Sequence, residues 1–266
     1  MYRAWLVLAV LSGGVARGAA PSYSADDIVN GANFTPGPFA PNSIITVFGK
    51  DLSFGTEAAF ADGAGDALPS VLNDVRVYVN NFAAPLIYVC PTQINLLVPG
   101  NLTAGKMPLR VVRQGVTGPE AMVTLVNASP QFFISQDGSV IAQHGADYSV
   151  ITPDSPAAAG EIIVLYLTGL GRTQPNPAPG EIPRYAAKIT SQIQLFLSGA
   201  PVSAENIWYA GLTPGSPGVY QINLKLPETL SPSTEVQVLI DGRLSAGGIK
   251  LPTTADSTQP EAGEAR

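Results

Sequence analysis

Two residues could begin nucleophilic or metal chemistry, and the chain has one of each: His144 and Cys90. A serine triad needs a histidine within hydrogen-bond reach of its nucleophile. His144 stands in a polar stretch beside Gly145, with no partner legible near it, and no serine sits in a Gly-x-Ser-x-Gly turn. A zinc site takes several His or Cys ligands, more than this chain holds. Cys90, between Leu86–Val89 and Pro91, reads as a small half-buried filler, because a reactive thiol needs a neighbouring histidine or cation. Calcium would have to use Asp62-Gly63 to Asp66, or Asp147, where the regular ligand spacing is absent; these acidic residues read as solvated turns. Gly169-Leu170-Gly171 lacks the third glycine and the helix of a dinucleotide loop. A carboxylate pair for glycoside hydrolysis can converge from distant loops and leaves no spacing to read. The expectation is therefore no catalytic residue, no metal ligand and no cofactor.

What remains is the chemistry of recognition by aromatic rings and the loop beside them. Trp208, Tyr209 and Tyr220 flank the stretch Ala210 to Gly218, which holds Pro214 and Pro217 among glycines. Loops on a rigid scaffold are the usual carriers of specificity, and large amphipathic rings are favoured at interfaces. The candidate partner-binding set is Trp208, Tyr209, Leu212, Pro214, Pro217 and Tyr220. The competing reading is that these rings cap the end of a folded unit.

The elements that must position this set repeat. Gln93-Ile94-Asn95-Leu96-Leu97-Val98-Pro99 returns as Gln221-Ile222-Asn223-Leu224-Lys225-Leu226-Pro227. Aliphatic residues alternate in both copies, the pattern of a half-buried strand, and the proline ends each. Gln and Asn, two apart, project from the opposite face, where their amides can donate and accept and so tie down a neighbouring loop or edge. Around these strands the order of elements also returns. Ile44–Phe48 matches Ile162–Leu167, Val75/Val77/Val79 matches Ile193/Leu195/Leu197, Asn33-Phe34 matches Asp147-Tyr148, and Ile87-Tyr88-Val89 is set against Ile207-Trp208-Tyr209. Ser53 to Ser70 and Thr173 to Pro183 read as long loops. No stretch carries a helical period of any length. Short strands separated by turn signals predict an all-β chain of two tandem sandwiches, residues 27–126 and 130–251, with residues 252–266 a disordered tail.

Composition limits where such a chain works. Charged residues are 13% and the net charge is −6 without a basic run, which argues against nucleic acid. Residues 1–18 read as a signal peptide: Arg3, the apolar run Ala4–Leu11, then small residues at Ala16 and Gly18, with cleavage before Ala19. That run is too short to span a bilayer, and no later one is longer. One cysteine forbids an intrachain disulfide, so each unit is held by its core. The expected location is secreted or at the cell surface, the periplasm included.

Taken together, Pro41-Asn42-Ser43-Ile44 to Phe48-Gly49, Val75 to Pro85, Tyr88 to Pro99, Thr168-Gly169-Leu170-Gly171, Tyr209-Ala210-Gly211-Leu212 and Tyr220-Gln221-Ile222-Asn223 resemble the acidobacterial Solibacter-type C-terminal domain family. The resemblance runs from about Val29 to Leu251. It implies an extracellular immunoglobulin-like fold related to the TIG modules, and it implies no enzyme activity. The chain departs from the family pattern at Cys90, where Ser is more usual, and in the His144 to Tyr148 turn. Family members usually end long surface proteins; a leader on this chain suggests an independent secreted product. Three functions are then weighed: a non-catalytic binding or assembly module with a protein or glycan partner, a carbohydrate-binding accessory protein, and a hydrolase with dispersed carboxylates. Exposed coplanar aromatics on one face would favour the second. An interdomain cleft holding two carboxylates would favour the third.

Overall fold

The computed structural model describes residues 18–59 and 65–254. Residues 1–17, 60–64 and 255–266 lie outside the described residues, and with them nearly all of the expected signal peptide, Asp62 and Gly63, and most of the expected disordered tail. Among the described residues, regular structure is strand apart from two short 3-10 turns, Ala25–Asp27 and Ala204–Asn206, and no helix is long and apolar enough to cross a membrane.

The fold is all-β, four sheets packed as two sandwiches. In the first, one sheet runs Ile28–Asn30, Ile44–Phe48, Gln93–Leu97, Leu86–Cys90, Glu57–Ala58. It faces a sheet of Ala121–Leu125, Gly105–Arg113, Val75–Val79 and Phe82–Ala83. In the second, Gln131–Phe132, Ile162–Thr168, Tyr220–Lys225, Ile207–Leu212, Ala187–Ile189 and Thr173–Gln174 face Ala200–Pro201, Ile193–Leu197, Thr234–Ile240 and Arg243–Leu244. Each sandwich has its own buried apolar cluster. Alternation decides which side chains enter it: Val75, Val77 and Val79 are fully buried while Arg76 between them is exposed.

The two Gln-x-Asn strands are internal. Gln93–Leu97 lies between Ile44–Phe48 and Leu86–Cys90, and Tyr220–Lys225 between Ile162–Thr168 and Ile207–Leu212. Ile94, Leu96, Val98, Ile222, Leu224 and Leu226 are at most 1% exposed. Full burial of each is worth roughly 1.5–3 kcal/mol.

One alignment drawn from sequence is off by a residue. Tyr88 pairs with Asn95, and Tyr209, not Trp208, pairs with Asn223. Both strands break register at the same point, between Leu86 and Tyr88 and between Ile207 and Tyr209. The extra residue of each bulge is Ile87 or Trp208, so Trp208 corresponds to Ile87. A bulge inserts a residue without a partner and re-aims its side chain.

Packing also runs past the expected edges of both units. The Tyr23 hydroxyl donates to the Pro119 carbonyl at 2.6 Å and accepts the Val111 amide at 2.7 Å, which anchors chain ahead of residue 27. Arg113, 1% exposed, lies over the Phe54 ring and donates to the carbonyls of Asp51 and Ala19. At the other end Leu251 is not the last packed residue. Thr253 is buried, donates to the Ser231 carbonyl at 2.7 Å and accepts the Thr234 amide at 3.2 Å.

The sandwiches meet through the segments that read as loops. Ala67 bridges Glu181, with Leu68 N–H donating to the Gly180 carbonyl at 2.7 Å and Ile182 N–H to the Asp66 carbonyl at 3.0 Å. Loops rich in Gly and Pro thus satisfy each other's backbone groups. Asn33 Nδ2 also donates to Gln131 Oε1 at 2.7 Å and Ser129 Oγ to the Pro38 carbonyl at 2.6 Å.

Candidate binding surface

The residues singled out from sequence are divided by the structure. Trp208 is exposed on its bulge, and Pro214 is exposed at the loop tip. Leu212, Pro217 and Tyr220 are buried. The Tyr220 hydroxyl donates to the Gly171 carbonyl, and burial pushes its pKa far up. Tyr209 is half-buried, its hydroxyl donating to the Leu212 carbonyl at 2.7 Å and accepting the Ala187 amide at 3.2 Å. Ala210–Leu212 continue the strand, so the loop proper is shorter than it read. Its far end is a joint. Gly218, at φ 78°, packs so closely that a Cβ would lie 2.3 Å from Leu97 Cδ2 in the first sandwich. These residues are not assembled into one exposed surface; capping the unit and joining it to its neighbour is what most of them do.

A different set of side chains is assembled, twice, on the outer faces of the two sheets that carry the Gln-x-Asn strands. Phe48 stands opposite Gln93, and Thr46 and Tyr88 stand on either side of Asn95. Tyr166 stands opposite Gln221, and Val164 and Tyr209 on either side of Asn223. Alternation puts all of them away from the core. In both copies the Gln amide nitrogen donates to the Asn side-chain oxygen at 2.9 Å. Thr46 Oγ1 adds a second hydrogen bond to Asn95 Oδ1 at 3.0 Å.

A turn brings one more ring to each face. Phe34 and Tyr148 both adopt positive φ, 58° and 59°, and are 55% and 65% exposed. Large side chains avoid this region; holding one there costs on the order of 1–3 kcal/mol. The surrounding hydrogen bonds impose it identically. Phe34 N–H donates to the Asn30 carbonyl at 2.9 Å and Tyr148 N–H to the His144 carbonyl at 3.0 Å. Asn33 Oδ1 accepts the Thr35 amide and hydroxyl, as Asp147 Oδ1 accepts those of Ser149, which draws the Asp147 carboxyl below its ordinary pKa. Gly31 and Gly145 let the turn lie against the next strand: a Cβ at either would come within 2.6 Å of Ile44 or Ile162. The Phe34 and Phe48 ring centroids are 5.8 Å apart with planes tilted by 50°, so they form a corner rather than a coplanar pair. In the other sandwich the Tyr166 hydroxyl donates to Gln143 Oε1 at 2.5 Å, and burial together with neighbouring Tyr148 raises its pKa.

His144 does have partners, contrary to the expectation. Its Nδ1 is 2.5 Å from Glu161 Oε1, and its Nε2 is 3.2 Å from the Ser155 carbonyl oxygen and 3.3 Å from Ser155 Oγ. The order Ser, His, Glu is that of a triad. The carbonyl changes its meaning, because a carbonyl oxygen only accepts and Nε2 must carry a proton to meet it. An Nε2 so committed cannot take the serine proton. Burial lowers the His144 pKa, but the hydrogen bond and charge of Glu161 raise it by more, which favours the imidazolium. Glu161 Oε2 accepts the Ala158 amide at 2.9 Å, so the arrangement pins the strand start. Cys90 lies opposite Gln93 on the outer face; burial raises its thiol pKa, but Thr92, Tyr88 and the Gln93 amide lower it by more.

Among the described residues, two open clefts between the sandwiches each hold a carboxylate, and a third, of only about 10 Å³, holds that of Glu181. One, of about 600 Å³, holds the carboxylate of Asp26 with Arg243. The other, of about 260 Å³, holds Asp241 with Arg172. Neither holds two carboxylates. Among the described residues no three His, Cys, Asp or Glu side chains converge as a metal ligand set.

No protein-family model and no curated protein matches the sequence. Among solved structures, the chain is similar in fold to the surface glycan-binding protein PbSGBP-B from Prevotella bryantii, at 11% identity over 88% of this chain and 42% of that one, with TM-score 0.28. It is similar to SGBP-B of the Bacteroides ovatus mixed-linkage glucan utilization locus, solved with a mixed-linkage heptasaccharide, at 11% identity over 89% and 46%, with TM-score 0.34. The I9–I11 tandem of titin matches at 8% identity over 81% and 61%, with TM-score 0.22. The chain spans less than half the length of the two glycan-binding proteins.

Proposed function

We propose that the chain is a non-catalytic binding protein of the cell exterior whose working surfaces are the two outer faces built on Gln93–Asn95 and Gln221–Asn223. The carrying observation is the repetition of an αL aromatic turn, an outward ring and a hydrogen-bonded Gln–Asn pair in the same register. A core needs none of these, and the turn costs stability, so function is the reason to keep it. A carbohydrate-binding accessory role is the form of this reading that rings beside neutral amides support best. A hydrolase draws no support from clefts with single carboxylates or from a His144 whose Nε2 proton is committed to a carbonyl. Exterior location rests on the leader pattern of residues 1–18, and membership of the Solibacter-type family on the motifs from Pro41 to Asn223.

The test is capture from the native envelope and culture fluid, with the wild-type chain and the double variant Phe48→Ala/Tyr166→Ala as baits. Both rings lie outside the cores, so the variant keeps its fold, checked by circular dichroism. Capture by the wild type and its loss in the variant supports the reading. Undiminished capture by the folded variant contradicts it.

A further inference from the structure

We propose that the ligand of these faces is a neutral glycan, bound at two equivalent subsites per chain, each gripping a pair of vicinal hydroxyls; this rests on the binding reading above and names its ligand. One N–H of the Gln nitrogen and one lone pair of the Asn oxygen in each pair are taken up by their mutual bond, which fixes both amide planes. That leaves Gln93 Oε1 and Asn95 Nδ2 in the first face, and Gln221 Oε1 and Asn223 Nδ2 in the second. None of these four atoms has a protein hydrogen-bond partner among the described residues, and none is buried. Each face therefore offers an acceptor oxygen from Gln and donor N–H groups from Asn, both on amides held by their mutual bond. Two hydroxyls on adjacent sugar carbons match this: one donates its proton to the Gln oxygen while the other accepts from the Asn nitrogen. The ring directly opposite the Gln, Phe48 or Tyr166, supplies an apolar platform for the C–H face of the sugar.

Charge selects the neutral class. Phe34, Phe48, Thr46, Gln93, Asn95 and Tyr88 carry none. In the second face Lys225 pairs with Glu228 at 3.2 Å, Asp147 keeps its charge while accepting from Ser149, and Lys188 stands two strands from Gln221 in the same cross-strand row. The first set thus offers an acidic sugar no cation and a basic peptide no carboxylate, and a neutral glycan is the class that both faces can take in the same way. The platforms are held in place, Phe48 by Phe34 and Tyr166 by Gln143, so little ordering is required on binding.

The experiment is isothermal titration of the whole chain with cellohexaose, xylohexaose, mannohexaose and maltohexaose, and with hexagalacturonate as the acidic comparator. Asn95→Asp and Asn223→Asp are the diagnostic variants. Each keeps the oxygen that accepts from Gln and puts a charged acceptor where the outward N–H donor stood. We expect at least one neutral hexasaccharide to bind with a stoichiometry of two. Each variant should weaken one subsite about tenfold or more, the effect of one lost hydrogen bond, and leave the other unchanged. A stoichiometry of one, unchanged affinity in both variants, preference for hexagalacturonate, or no binding of any neutral hexasaccharide overturns the inference. In the last case, capture that still depends on Phe48 and Tyr166 preserves the binding reading, so the two failures are separable.

Discussion

The side-chain oxygen of Thr168 accepts the amide proton of Ile44 at 3.0 Å, across the boundary between the two sandwiches. The same hydroxyl donates to the Gly218 carbonyl at 2.7 Å, and Thr168 is fully buried. Thr168→Val keeps the shape and strands both partners. The expected cost is about 1–3 kcal/mol, read as a lower urea midpoint. An unchanged midpoint would mean that the joint contributes nothing.

Leu224 is fully buried and Lys225 next to it points outward, its ammonium on Glu228. Leu224→Ala should cost about 2–5 kcal/mol and Leu224→Asp should unfold the second sandwich. Lys225→Asp should shift the thermal midpoint little, because exposed ion pairs contribute about 0–1 kcal/mol. Equal effects of the two Asp variants would refute the register.

The strands were legible in the sequence because alternation is a local signal: Ile94, Leu96 and Leu224 announce a buried face without reference to the rest of the chain. The bulge at Trp208 was not, since nothing in Ile207-Trp208-Tyr209 distinguishes an extra residue from a paired one. The stretch from Ala210 to Gly218 reads in sequence as a contact loop. The burial of its far end at Gly218 depends on Leu97 and Ile44, more than a hundred residues away, and no local pattern carries that. Phe48 and Tyr166 read in sequence as ordinary strand residues, although Asn33-Phe34-Thr35 and Asp147-Tyr148-Ser149 spell the same turn beside them. That Asx-aromatic-hydroxyl triplet was the available signal. His144 found Glu161 and Ser155 through a hairpin that brings distant segments together.

The His144–Glu161 pair predicts a pH dependence. The folded-state pKa of His144 lies above its ordinary 6.5, so the folded chain binds this proton more tightly than the unfolded one. The stabilisation is complete below about pH 6.5 and is lost as pH rises through the raised folded value. Urea midpoints should fall over that interval in the wild type. His144→Gln, which can still donate to Glu161 but does not titrate, should flatten the fall. An identical slope in the variant would show that another group controls it.

Tyr148 trades stability for exposure. Tyr148→Asn replaces a large residue by one that tolerates positive φ, at a position 65% exposed. The thermal midpoint should stay level or rise, while binding at the second face weakens. A lower midpoint would show that the ring contributes to folding rather than to recognition.

The most direct test of the two-face account is hydrogen exchange across the whole chain, with and without the captured or titrated ligand. The account predicts slowed exchange in two separate places: the Asn30–Thr35 turn with Ile44–Phe48 and Gln93–Leu97, and the His144–Ser149 turn with Ile162–Thr168 and Tyr220–Lys225. Protection confined to the Thr213–Val219 loop or to the clefts lined by Arg243 or Arg172 would contradict it.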